Sequence, residues 1–129
     1  MYHRLVFADR FDGARYVNDV SYLIRLQPNS LDEKGLKREV CVPERLMHRL
    51  VYLAVAYELP LLSRLPVAED YEEWTYPEAQ AVSLERELAF LLQRVSDPLL
   101  TTVLRPFTTL VTVAIRHPHG RSIVVETPY

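Results

Sequence analysis

Residues 76–116 carry the stretch that decides the fold, YPEAQAVSLERELAFLLQRVSDPLLTTVLRPFTTLVTVAIR. In its first half, apolar residues recur three and four positions apart, which is typical of one face of an α-helix. These residues are Ala81, Leu84, Leu88, Leu91, Leu92 and Val95. Just before them, Thr75 and Glu78 have the spacing of a capping box, in which each side chain satisfies the other's free backbone amide. The sequence therefore predicts a helix over residues 76–96.

The second half predicts another helix, over residues 98–116. Asp97 suits an N-cap, and Pro98 suits the first helical position. The apolar positions are Leu99, Leu100, Val103, Leu104, Phe107, Leu110, Val111, Ala114 and Ile115. Pro106 should kink such a helix, and the threonines favour a strand. The helix is preferred because nine apolar residues keep its phase, and the alternative is a hairpin of strands 107–116 and 121–126.

Upstream of this stretch, the pattern has the period of two that marks strands. A short apolar strand is predicted at residues 5–8, a second at 20–26 and a third at 36–42, with the last two paired as a hairpin. Cys41 lies between two valines and is interpreted as a buried strand position. A further helix is predicted to begin at Pro43 and to end before Pro60, because a proline disfavours helical backbone in the residue before it.

Together these elements predict one small α+β domain over residues 1–129. Three N-terminal strands and the strand at 121–126 form a mainly antiparallel four-stranded sheet, covered on one face by three helices. The predicted helices 76–96 and 98–116 form an antiparallel pair. The composition agrees with a globular domain, because 49 % of the residues are hydrophobic and 25 % are charged.

The charges are unevenly placed along the chain. Residues 69–78 hold five of the 17 acidic residues, three aromatic residues and no basic residue. The rest of the chain carries 15 basic and 12 acidic residues, which is too weakly basic to predict nucleic-acid binding. The single cysteine predicts a cytoplasmic protein, and no apolar run reaches the ~18 residues that span a membrane.

Catalytic and cofactor motifs are weak in this sequence. His117 and His119 could join His3 or His48 at a metal, but their proline- and glycine-containing surroundings indicate a surface turn. Cys41 and His48 lie on different predicted elements, and the three glycines are isolated, so neither a nucleophilic site nor a nucleotide loop is predicted. The sequence favours a protein without catalytic residues, cofactor or metal, and leaves enzymatic activity open.

Partner binding is the leading functional prediction. Tyrosine and tryptophan are enriched at the energetic centres of interfaces, and carboxylates attract a basic partner. The predicted partner-binding residues, which we call the acidic-aromatic strip, are Glu69, Asp70, Tyr71, Glu72, Glu73 and Trp74. The predicted protein is a bacterial immunity protein, antitoxin or regulatory adaptor with a basic protein partner. The alternative for Trp74 is a structural one, in which it fills the core while the acidic residues form a solvated loop beside a helix N-terminus.

Two other functions remain open at this stage. One is a small enzyme or ligand-binding domain with a pocket between sheet and helices, lined by Arg25, His48, Tyr52 and Tyr57. The other is a structural subunit that forms homo-oligomers through the apolar stripe at 99–115.

Overall fold

The computed structural model describes residues 20–27, 39–65, 73–116 and 121–128. In these ranges it has the predicted α+β arrangement of a four-stranded antiparallel sheet with three α-helices. The strands are β1 (Ser21–Gln27), β2 (Glu39–Pro43), β3 (Glu73–Tyr76) and β4 (Ser122–Glu126). The helices are α1 (Glu44–Ala56), α2 (Ala81–Arg94) and α3 (Pro98–Arg116). The strand predicted at residues 5–8 lies outside the described residues.

The sheet has the strand order β2-β1-β4-β3, and each neighbouring pair is antiparallel. The predicted pairing of β1 with β2 is confirmed, with Tyr22 opposite Val42 and Ile24 opposite Val40. The last strand, β4, lies inside the sheet, between β1 and β3. The sheet therefore joins its two central strands across about a hundred residues of sequence.

One face of the sheet, which we call the inner face, is buried under the helices. α1 and α3 contact this face, and α2 packs against α3. Its buried side chains are Tyr22, Ile24, Leu26, Val40, Val42, Tyr76, Ile123 and Val125. The prediction that Cys41 is buried is wrong, because successive residues of a strand point to opposite faces and the flanking valines occupy the inner one. The Cys41 thiol is free and exposed on the outer face.

Helix α3 confirms the helical interpretation of residues 98–116 and excludes the hairpin. It continues through Pro106, which lies on the exposed side. The threonines fit because Thr101, Thr108 and Thr109 each donate a hydroxyl hydrogen bond to the carbonyl four residues earlier. Thr112 donates instead to Glu85 Oε2 at 2.8 Å and so links the last turns of α3 to the first turns of α2.

The start of α3 is held by Asp97, as its sequence predicts. Asp97 Oδ1 accepts hydrogen bonds from the backbone N–H groups of Leu99 and Leu100, at 3.1 and 3.3 Å. Its other oxygen lies 3.9 Å from Arg49 Nη1 on α1. The side chain is 2 % exposed, so a buried carboxylate connects the α2–α3 turn to α1.

Asp97 variants should separate capping from charge. Asp97→Ala should lower the free energy of unfolding by about 2–4 kcal/mol, because it removes both the cap and the buried carboxylate beside Arg49. Asp97→Asn keeps the capping oxygen and should cost about half as much. Urea unfolding followed by circular dichroism measures both. Equal and negligible losses would contradict the capping role.

The start of α2 differs from its prediction. Residues 73–76 are the strand β3, residues 78–80 form a single 3₁₀ turn, and the α-helix begins at Ala81 rather than at residue 76. The capping box is wrong, because Thr75 is an exposed strand residue and the 3₁₀ turn has no side-chain cap. Pro77 accounts for the difference, since a proline holds the preceding residue, Tyr76, in extended backbone.

Candidate partner-binding surface

Strand β3 places the described end of the acidic-aromatic strip at an edge of the sheet. Its residues pair with β4, with Glu73 opposite Glu126 and Trp74 opposite Val125. Because strand side chains alternate, Trp74 points to the inner face and Glu73 points to the outer face. The two strip residues that the structure describes therefore have different surroundings.

On the inner face, a buried polar cluster fixes β3 to the turn after α1. Tyr76 is 1 % exposed, and its hydroxyl donates a hydrogen bond to the Leu61 carbonyl at 2.5 Å. The Glu87 carboxylate accepts from the N–H of Leu61 at 3.0 Å and from that of Leu62 at 2.8 Å. Burial, and then the negative charge of Glu87, raise the pKa of Tyr76 far above its usual range. Tyr76 therefore stays a neutral hydrogen-bond donor.

Trp74 lies beside this cluster and is partly buried. Its ring meets that of Tyr76 edge to face, with centroids 6.1 Å apart, and it packs against the hydrophobic core. Such aromatic pairs add to the stabilisation that burial alone gives. Trp74 thus has a structural role beside Tyr76, and its indole Nε1 is buried.

On the outer face, Glu73 belongs to a group of three charged side chains. Arg25 of β1 binds Glu126 closely, with its Nε and Nη2 atoms 3.0 and 2.9 Å from Glu126 Oε1. The same Nη2 atom lies 3.9 Å from Glu73 Oε2. One guanidinium therefore serves two carboxylates that face each other across strands, and the Glu73 side chain is 52 % exposed. We call Arg25, Glu73 and Glu126 the β3 charge cluster.

The other members of the strip, Glu69, Asp70, Tyr71 and Glu72, lie outside the described residues. The described stretches on either side of residues 66–72 are held together by the hydrogen bond from Tyr76 to Leu61. Sequence reasoning missed Arg25 and Glu126 as neighbours of Glu73. The alternation of Glu73, Trp74, Thr75 and Tyr76 was the available signal, because it would have placed Glu73 on an outer sheet face.

The four side chains predicted to line a pocket are not brought together. Arg25 is on the outer face of the sheet, whereas His48 and Tyr52 are exposed on α1, which covers the inner face. Tyr57 packs edge to face on Phe90, with ring centroids 5.3 Å apart. Cys41 and His48 likewise lie on opposite sides of the sheet. These groups offer no shared reaction site.

Within the described ranges, no group of three histidine, cysteine, aspartate or glutamate side chains could hold a metal ion. His3, His117 and His119 lie outside those ranges.

Most of the apolar stripe at 99–115, the predicted oligomerisation surface, is buried in the core of the chain itself. Its buried members are Leu100, Val103, Leu104, Phe107, Leu110, Val111 and Ala114.

By length and composition, α3 is also the one helix among the described residues that could cross a membrane, with a mean hydropathy of 1.4. This is weak support for a membrane span, because the core helix of a globular domain has the same properties and α3 packs on the sheet and on α2. Its apolar side has a sufficient explanation in the core.

The fold and this surface define a small single-domain α+β protein with a charged sheet edge. In comparisons with protein-family models, curated proteins and solved structures, no significant match was found. The functional argument therefore depends on the described side chains and on the sequence of the strip.

Proposed function

We propose that this chain is a non-enzymatic interaction protein that binds a basic protein partner through the acidic-aromatic strip and the β3 charge cluster. Bacterial immunity proteins, antitoxins and regulatory adaptors are the classes of interaction protein that we propose. The observation that carries the proposal is the exposed and incompletely paired carboxylate of Glu73. Its carboxylate is half exposed at a sheet edge, and its nearest cation in the β3 charge cluster already binds Glu126 more closely.

The electrostatics of the β3 charge cluster favour a cationic partner. Glu73 and Glu126 are direct cross-strand neighbours, so their like charges repel, and among the described side chains Arg25 alone forms ion pairs with both. In sequence, three of the four residues before Glu73 are also acidic. Such a concentration of one sign of charge accelerates the encounter with a partner of opposite sign.

The inner-face contacts of β3 make the proposed binding surface rigid. Tyr76 and Glu87 fix β3 and the turn at Leu61 to the core, and Trp74 packs beside them. A binding surface loses less conformational entropy on association when its supporting residues are already ordered. The proposed binding surface therefore combines an exposed charge with a strand that is held in place by buried contacts.

A cytoplasmic location fits this proposal. The only cysteine is exposed as a free thiol on the outer face of the sheet. Exposed thiols persist in a reducing compartment, where disulfide formation is disfavoured. The basic partner would then be another protein of the same compartment.

Charge reversal tests the proposal directly. The triple variant Asp70→Lys, Glu72→Lys, Glu73→Lys should reduce capture of the partner by about tenfold or more, because it turns attraction into repulsion. The measurement is affinity capture from an extract of the native organism, quantified by mass spectrometry at two salt concentrations. Capture by the unmodified protein should weaken as salt rises, because ions screen exposed charges.

The matched control reverses an exposed glutamate elsewhere. Glu58→Lys also changes the net charge toward positive, but Glu58 follows α1 and is not part of the β3 charge cluster. It should leave capture of the same partner nearly unchanged. Thermal unfolding should show that every variant is folded. Undiminished capture by the triple variant would refute the proposed binding surface.

A further inference from the structure

The outward side of β3 is a free strand edge in the part of the chain that the structure describes. β3 pairs with β4 on one side, and no described strand pairs with its other side. In an antiparallel edge strand, alternate residues direct their N–H and C=O groups away from the sheet. Such an edge can accept a further strand from another chain.

We propose that the partner contributes an extended basic segment that pairs with this edge as an added strand. The inference rests on the function proposed above and specifies how the partner binds. Side chains of an added strand alternate between the two faces of the sheet. The segment should therefore place basic residues on the outer face and apolar residues on the inner face.

Glu73 supplies the recognition on the outer face. Arg25 Nη2 lies 2.9 Å from Glu126 and 3.9 Å from Glu73, so the Glu73 carboxylate is the less fully neutralised of the two. A lysine or arginine on the added strand would lie beside Glu73 and would relieve its repulsion from Glu126. Glu73 is thus the residue that selects a basic segment.

Trp74 supplies the contact on the inner side. It is a partly buried residue of the edge strand β3, and its ring packs against that of Tyr76. An apolar side chain of the added strand would lie beside Trp74 on the inner face and would extend this packing. The alternation of exposed Glu73 with partly buried Trp74 therefore matches an alternating basic and apolar sequence.

The opposite edge, β2, is less suited to such a segment. Its outer face has one carboxylate, Glu39, directly opposite Arg25, and its last residue, Pro43, leads straight into α1. The strands that carry Glu39 and Glu73 are three strand spacings apart, about 14 Å. Glu39 therefore provides a control with the same chemistry at the other edge.

The probe is a synthetic six-residue peptide of alternating lysine and valine. Trp74 is the only tryptophan in the chain and lies on β3, so its fluorescence reports peptide addition directly. Titration should change the Trp74 emission with saturation, and the affinity should fall as salt rises. A peptide of alternating glutamate and valine should not bind.

Backbone methylation distinguishes strand pairing from simple charge attraction. Two modified peptides carry N-methyl groups either on every lysine or on every valine. In a paired strand only one of these sets of amides faces β3, so one peptide should bind about tenfold or more weakly while the other keeps its affinity. Equal affinities for the two, whether retained or lost, would overturn the inference.

Single substitutions localise the site. Glu73→Gln should weaken peptide binding by about two- to fivefold, the range for an exposed ion pair. Glu39→Gln should leave it unchanged. A larger loss with Glu39→Gln than with Glu73→Gln would place the peptide at the wrong edge and overturn the inference.

The two proposals fail in different ways. If partner capture depends on the acidic residues but both methylated peptides bind like the parent peptide, the strip is the interface and edge pairing is wrong. If the lysine–valine peptide does not bind while capture remains charge-dependent, edge pairing is again wrong. If reversal of the strip leaves capture unchanged, the proposed function itself fails.

Discussion

Glu87→Ala is expected to lower the free energy of unfolding by about 3–5 kcal/mol, a large fraction of the stability of a domain of this size. The Glu87 side chain is buried, at 7 % exposed, and accepts the backbone hydrogen bonds of Leu61 and Leu62. Alanine would leave both N–H groups buried without an acceptor and would also create a cavity. Urea unfolding monitored by Trp74 fluorescence measures the loss.

Two further variants sharpen this prediction. Glu87→Gln keeps the size of the side chain but replaces a doubly accepting carboxylate with one acceptor and one donor, so about 1–3 kcal/mol should be lost. Glu85→Ala, two positions earlier, removes only the contact with Thr112 and should cost about 1 kcal/mol or less. Comparable losses at positions 85 and 87 would contradict the buried role of Glu87.

Phe107→Ala should destabilise the domain by about 3–5 kcal/mol. Phe107 is fully buried on α3 and is among the largest fully buried side chains of the core. Removing its ring loses buried apolar area and leaves a cavity that the close-packed surroundings cannot fill. Thermal unfolding followed by circular dichroism should show a lower melting temperature with unchanged helical content at low temperature.

The comparison for Phe107 is Thr109→Ala on the exposed side of the same helix. Thr109 donates only a 3.2 Å hydrogen bond to the Arg105 carbonyl, so this change should alter stability by about 0.5 kcal/mol or less. If Phe107→Ala were as mild as Thr109→Ala, the stripe on α3 would not face the core.

Helices α2 and α3 could be predicted because a helical period repeated over many residues is a strong local signal. In α3, the buried positions follow the predicted stripe, and the threonine hydroxyls bond within the helix. The start of α2 could not be predicted in the same way. β3 has only four residues, and its own Thr75 together with the following Pro77 and Glu78 imitates a helix start. Pairing with β4, a contact distant in sequence, decides its conformation.

The candidate site shows the same limit. The concentration of acidic and aromatic residues near Glu73 is visible in the sequence, and so is its possible role in binding a basic partner. The sequence does not show that Arg25 and Glu126 are neighbours of Glu73. Arg25 and Glu126 are 101 positions apart, and only the sheet register brings them together. The strand at Cys41 is predictable from its alternation, and the same alternation contradicts a buried Cys41, because Cys41 shares a face with the charged Glu39 and the two valines share the other.

The central position of β4 has a consequence for how the protein is made. β1 has both of its neighbours only when β4 is present, and β3 pairs with the sheet through β4 alone among the described strands. A nascent chain emerges from the ribosome in order from its N-terminus. Until residues 122–126 have been synthesised, β1 therefore lacks one of its two neighbours and β3 lacks its partner strand. We expect a ribosome-bound chain stopped before residue 121 to be cleaved rapidly by protease, and one extended past residue 126 by a linker to resist.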